Sequence, residues 1–176
     1  MSREPDIVLV KAAAEGNVES FTELAARYYT PMVAIAHSIT GDRDLAEDAA
    51  QQCFARAAVK LSQLKNYEKF AGWLAAICRN EAKDIARLEN NHRNSEKFSE
   101  IKIESKDNDS SEVVKNALSK LSNSSREVIY LRYYDGLSYD QISEVLGISE
   151  QAINGRLRRA KKKLAQTLKR EGFKQV

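Results

Sequence analysis

The segment LSYDQISEVLGISEQAINGRLRRAKKKLAQTLKR, residues 137–170, constrains the fold more than any other stretch of the chain. Ser138 with Gln141 three positions later forms a capping box, and Leu137 and Ile142 are placed as its hydrophobic staple. Gly147 offers the left-handed turn that ends a helix, and Ile148 can pack back onto it. Ser149 then caps a longer helix in which Ile153, Leu157, Ala160, Leu164 and Leu168 recur at steps of three and four. Capped helix, glycine turn, capped helix is the pattern of a helix-turn-helix. Between Gln151 and Arg170 the second helix carries many basic residues and no acid. Arg156, Arg158, Arg159, Lys161, Lys162 and Lys163 follow the first turns, and several must face solvent because the apolar stripe takes the other side. A generic surface helix mixes both signs of charge, so this one is read as a duplex-DNA binder whose affinity falls with salt. Ser149, Glu150, Gln151 and Asn154 occupy the turns where such a helix reaches base edges. Gly155 is the one awkward residue, costing about 1 kcal/mol relative to Ala inside a helix.

The remaining chain is helical as well. Seven Gly and two Pro in 176 residues are too few for a turn-dense β-protein, and Ala, Leu, Glu, Lys, Arg and Gln dominate. The expected class is all-α: two small helical domains joined by a flexible linker, the C-terminal one a helix-turn-helix. Hydrophobic residues at 43% and charged residues at 30% suit a folded chain. The formal net charge of +3 is mild, so its distribution matters more than its sum. No apolar run is long enough for a bilayer, and the N-terminus lacks a signal-peptide layout, so a cytoplasmic location and no membrane insertion are expected. Cys53 and Cys78 lie far apart in sequence with no metal spacing and are read as buried thiols.

Residues 1–90 form the first block, 91–112 a polar linker, and 113–176 the second block. In the first, Asp6 and Asn17 are read as helix caps, Pro31 as a kink or break, Gly41 as a stop, and Asp44 with Glu47 as a capping box. The helix after Gly41 places Leu45, Ala49, Cys53, Phe54, Ala57 and Leu61 on one face and Asp48, Gln51, Gln52 and Arg56 on another. A loop follows, and then a helix expected to bury Leu74, Ile77, Ile85 and Leu88 and to expose Arg79, Asn80, Lys83 and Arg87. Tyr67, Phe70 and Trp73 stand near these basic groups. Aromatic and basic side chains together suit unpaired bases, although Phe70 and Trp73 share the spacing of Leu74 and Ile77 and read first as core. The linker has an acidic bias through Glu100, Glu104, Asp107, Asp109 and Glu112. Ser124 with Glu127 is read as a further capping box.

The chain carries no pattern of a catalyst. His37 and His92 are isolated, and no zinc-protease, phosphate-loop or nucleophile-elbow motif occurs. No cofactor and no metal are expected.

Three runs taken together, DLAEDAAQQCFARAAVKL, FAGWLAAICRNEAKDIAR and LSNSSREVIYLRYYDGLSYDQISEVLGISEQAINGRLRRAKKKL, resemble bacterial RNA polymerase sigma factors of the small extracytoplasmic-function (ECF) group. The resemblance spans nearly the whole chain in the right order. It implies a transcription initiation factor rather than an enzyme, with core RNA polymerase, promoter DNA (duplex and melted single strand) and an anti-sigma factor as partners, acting in the bacterial cytoplasm at the nucleoid. Asp48, Gln51, Gln52 and Arg56 would meet the β′ clamp helices, and the second block would dock on the β flap. Tyr67, Asn80, Lys83 and Arg87 would read the minus-ten element, where a base is flipped from the strand. Tyr139, Ser149, Gln151, Asn154, Arg156, Arg158, Arg159 and Lys162 would read the minus-thirty-five element. Asn154, Gly155 and Gln52 depart from the residues usual in that group. The competing reading is a free-standing helix-turn-helix transcriptional regulator that binds a duplex operator without polymerase.

Overall fold

A computed structural model describes residues 4–96 and 109–171, and among them the ordered elements are all helical. The first half contains α1 (Asp6–Ala14), α2 (Val18–Thr40), α3 (Arg43–Lys60) and α4 (Phe70–Glu96), with short 3₁₀ turns at Leu61–Gln63 and Tyr67–Lys69. The second half contains α5 (Asp109–Ser119), α6 (Asn123–Ile129), a π-helical turn at Tyr130–Tyr134, α7 (Tyr139–Leu146) and α8 (Glu150–Arg170). Helix α4 thus continues six residues into the stretch read as linker, and α5 starts before its end. Of the acidic linker residues, Glu100, Glu104 and Asp107 lie outside the described residues, while Asp109 and Glu112 belong to α5.

Helices α2, α3 and α4 pack on one another around Leu24, Met32, Ile35, Cys53, Phe70 and Leu74, all nearly solvent-free. Small residues make this possible. Ala46, Ala49, Ala50, Cys53 and Ala57 line the inner side of α3, so its neighbours approach closely. Pro31 does not break α2, which runs unbroken from Val18 to Thr40. Residues 31–38 are all buried, and packing on both sides outweighs the one backbone hydrogen bond that proline forfeits. Gly41 then ends the helix in the left-handed region at φ 69°.

Several expected caps shift by a few residues. Pro5 precedes α1, and Asp6 instead bonds Arg27 and Tyr28 on α2. Asp42, rather than Asp44, caps α3 by accepting from the Leu45 amide at 3.1 Å, because the left-handed Gly41 turn places residue 42 first; Glu47 pairs with Arg43 at 2.9 Å. Ser122, rather than Ser124, caps α6, and Glu127 is drawn away to Arg79 of α4 at 2.8 Å. Asn17, Ser138 and Ser149 cap as expected, and the Ser138–Gln141 box is formed in both directions.

The two halves are in contact. Helix α6 and the π-helical turn pack on α2, and α7 packs on α4. Tyr28 donates to Glu144 of α7 at 2.7 Å, Arg79 meets Glu127, and His37 lies among the rings of Tyr130 and Tyr134.

Candidate nucleic-acid and polymerase interfaces

The helix-turn-helix is built as its sequence demands. Gly147 ends α7 at φ 63°, and the Ser143 hydroxyl donates to the Ile148 carbonyl at 2.7 Å, fixing the turn. Ile153, Leu157 and Ala160 of α8 are buried. Each large apolar side chain so buried contributes about 1.5–3 kcal/mol, which holds the opposite face of α8 toward solvent. On that face Ser149, Gln151, Asn154, Arg158, Arg159 and Lys162 are exposed, and Arg156 is half-buried. Lys161 is not free, for its ammonium lies 4.7 Å from the centre of the Tyr133 ring. Tyr139 is half-buried beneath the Arg132 guanidinium, 5.2 Å from ring centre to Cζ, and Arg132 also donates to the Leu137 carbonyl at 2.8 Å. Glu150 opens α8 beside Asp140, and the hydrogen bond between these two acids holds the Glu150 carboxyl above its ordinary range. The basic surface therefore begins at Arg156, nearly two turns into α8.

On α4, Asn80, Lys83 and Arg87 are exposed and follow one another at helical spacing, so they share a face. Arg87 also reaches Asp84 at 3.5 Å, a solvent-exposed pair worth little. Tyr67 is half-buried in the 3₁₀ turn capped by Asn66, whose side chain accepts from the Glu68 amide at 3.0 Å. The start of α4 at Phe70, next to this turn, lies about 15 Å from Asn80 along the helix axis, so these groups form a track rather than a pocket. Phe70 is core, packed edge-on to Tyr28 at 5.5 Å and against Trp73 at 6.0 Å. Leu88, expected inside, is 60% exposed, because the residues packed against α4 end before its last turns. Arg79, expected outside, is held by Glu127.

On α3, Asp48, Gln51 and Gln52 are exposed and leave a polar face open. Arg56 on the same face has a structural task as well. Its Nε is 2.9 Å from Oε1 of Glu81, a carboxylate only 3% exposed, although the pair is too misaligned for a hydrogen bond. Cys53 and Cys78 are free and buried; Cys53 faces the Leu74 carbonyl at 3.5 Å and Cys78 the Met32 carbonyl at 3.2 Å. The neighbouring Cys78 thiol, which favours a protonated Cys53, and burial push the Cys53 thiol far up, so it is unreactive at neutral pH.

The described residues hold no group of three or more side chains that could ligate a metal, and no helix among them is long and apolar enough to cross a membrane. Residues 24–92 match the family Sigma-70 region 2, and residues 111–164 match Sigma-70, region 4. The chain is 28% identical to the RNA polymerase sigma factor CnrH of Cupriavidus metallidurans over 181 residues, covering 94% of this chain and 95% of that one. A solved structure of CnrH in complex with the cytosolic domain of CnrY superposes with a TM-score of 0.62 at 30% identity, covering 93% of this chain and 97% of CnrH. This chain belongs to the ECF sigma factors. It is also 32% identical to the probable RNA polymerase sigma factor RfaY of Xanthomonas campestris pv. campestris, matching 85% of this chain but spanning only 40% of that relative. The solved sigma factor RpoE of Bartonella quintana, in complex with the anti-sigma factor NepR, gives a TM-score of 0.54 at 26% identity over 86% of this chain and 98% of RpoE.

In this sigma factor, the residues that sequence reasoning missed are those joining the halves: Tyr28, His37, Arg79, Glu127 and Glu144. Nothing in their spacing along the chain paired them. Gly155 can also be resolved. A Cβ built there meets only the Arg159 guanidinium, at 3.5 Å, an ordinary contact. Gly155→Ala is therefore expected to stabilise the helix-turn-helix half by about 0.5–1 kcal/mol, read as a raised urea midpoint; a lower midpoint would show that the glycine is needed for packing.

Proposed function

We propose that this ECF sigma factor is a promoter-specificity subunit that binds core RNA polymerase, reads the minus-thirty-five and minus-ten elements and holds melted DNA open. It performs no reaction; it uses binding energy. Residues 1–90 serve as the melting and clamp-binding unit, 91–112 as the linker and 113–176 as the duplex reader. Asp48, Gln51 and Gln52, with the part of Arg56 not occupied by Glu81, meet the β′ clamp helices. Tyr67, Asn80, Lys83 and Arg87 follow the unpaired strand. Ser149, Gln151, Asn154, Arg156, Arg158, Arg159 and Lys162, with Tyr139 supporting from α7, read duplex DNA, and this half docks on the β flap. Acting on chromosomal promoters, it operates in the cytoplasm at the nucleoid. An anti-sigma factor is the expected restraint, in keeping with the CnrH–CnrY and RpoE–NepR complexes.

The observation that carries this reading is that both halves match sigma regions in order while Asn80, Lys83 and Arg87 on α4 and Ser149, Gln151, Asn154, Arg158, Arg159 and Lys162 on and before α8 lie exposed. A free-standing regulator accounts for α8 but gives no reason for a region 2 match across α2 to α4. Run-off transcription with core polymerase on a promoter library tests the proposal. Specific starts that appear only with this chain support it, and no redirection of initiation overturns it. Within that assay, Asn80→Ala is expected to lower open-complex formation about tenfold while closed binding changes less than twofold, since unstacking a base costs a few kcal/mol and Asn80 acts only on the extruded strand. Equal losses in both steps remove Asn80 from the melted-strand track.

A further inference from the structure

The contact between the halves cannot survive promoter reading as proposed above. Two elements about 25 base pairs apart are separated by roughly 85 Å at 3.4 Å per step. A compact chain of this length has a radius of gyration of about 16 Å and measures only about 40 Å across. The halves must part, and what joins them sets the ease of parting.

At the centre of that junction is His37 on α2. Its ring meets Tyr130 at 4.7 Å and Tyr134 at 4.8 Å, both edge-on, and its Nδ1 is buried with no hydrogen-bond partner. The two tyrosines belong to the π-helical turn, a local distortion that often marks a functional site. The charged groups around the ring are unequal. Arg43 at the start of α3 lies over Tyr134, 6.0 Å from its centre, with Nη1 3.5 Å from the tyrosine hydroxyl. Lys115 of α5 adds positive charge, Asp42 opposes both, and Arg126 of α6 acts on Tyr130. Asp135, after the turn, is part-buried with an unpartnered Oδ2 and near Arg43. An imidazolium here would be desolvated beside a guanidinium, with no acceptor on Nδ1.

We infer that His37 is a proton-sensitive clasp: neutral, it seats among Tyr130 and Tyr134 and holds the two halves together; protonated, it is expelled and frees the readers to separate. Burial and Arg43 hold the His37 imidazole below its ordinary pKa in the closed chain. In the open chain it returns toward the ordinary value of about 6.5. The open state therefore binds more protons, and closure is complete above about pH 6.5 and weakens as pH falls below it. For one proton the open-to-closed ratio rises by at most about tenfold between pH 7.5 and pH 5.5. The requirement for opening rests on the promoter reading; the proton dependence does not.

Small-angle X-ray scattering of the full chain without polymerase, from pH 7.5 to 5.5, tests the clasp, with circular dichroism confirming that helix content is kept. The expected result is a radius of gyration near the compact value at pH 7.5 that grows below pH 6.5, and no such growth in His37→Phe, which keeps a ring but carries no proton. Should that variant fail to fold, NMR titration of His37 in the parent chain decides, because the clasp requires its titration to track the opening. A chain already extended at pH 7.5, a parent radius constant over the range, or a His37→Phe curve matching the parent overturns the inference. Run-off transcription is a separate readout, so loss of the promoter reading would leave this curve untouched.

Discussion

Arg56→Ala is expected to lower the unfolding free energy of the first half by about 2 kcal/mol, although Arg56 belongs to a face otherwise read as a docking surface. Glu81 is the reason. Its side chain is 3% exposed, and Arg56 is its ion-pair partner at 2.9 Å. Removing one member of a fully buried pair costs about 3–5 kcal/mol, because the charge left behind has lost both water and its counter-ion. Arg56 is itself 52% exposed, so solvent screens part of the attraction and the figure is discounted accordingly. In a unit of this size about 2 kcal/mol corresponds to a fall of roughly 10 °C in melting temperature. Urea denaturation followed by circular dichroism reads it directly. Glu81→Gln in the same chain should recover at least half of the loss, since a buried amide costs less than a buried charge. An Arg56→Ala midpoint equal to the parent's would show that water already satisfies Glu81. Core-polymerase affinity, measured where both proteins remain folded, then reveals any separate contact made by Arg56.

Reversing Arg158 and Arg159 to Glu is expected to weaken duplex binding by about 60-fold or more at 0.1 M salt. Each phosphate contact contributes a slope of about −0.9 in log affinity against log salt, or roughly eightfold per decade of salt, and two such contacts multiply. Both side chains are exposed on the face of α8 opposite Ile153, Leu157 and Ala160. Arg159 lies over Gly155, so it is already extended along the helix surface rather than folded into the core. The loss should be similar on specific and unrelated sequences, and the slope should fall by about two units, because phosphate contacts position without reading sequence. Fluorescence anisotropy of a labelled duplex across a salt series measures both quantities. A slope equal to the parent's would take these arginines out of the interface, whatever the change in affinity.

The two experiments probe opposite kinds of legibility. The α8 surface was readable because a capped helix with a three-and-four apolar stripe fixes which side faces out, and charge on that side follows without tertiary information. The Arg56–Glu81 pair was not readable: the two residues stand on different helices, and only the packing of α3 on α4 brings them together. The misplaced caps have a related cause. Asp44, Ser124 and Glu127 have the right chemistry, but Asp42 and Ser122 come first after their turns, and Arg79 claims Glu127 from another helix. Pro31 misled for the same reason, since local rules count one lost hydrogen bond and cannot count the packing around residues 31–38.

Local periodicity and capping chemistry act between residues a few positions apart, and through them the sequence alone settled the all-helical class, the helix-turn-helix with its Gly147 turn, the basic face of α8 and the polar faces of α3 and α4. Tertiary structure alone decided that the two halves meet, that Tyr28, Arg79 and His37 reach across to Glu144, Glu127, Tyr130 and Tyr134, and that Arg56 guards a buried carboxylate. Those contacts join residues dozens of positions apart, and no repeat or spacing along the chain encodes which distant partner a lone polar side chain will find.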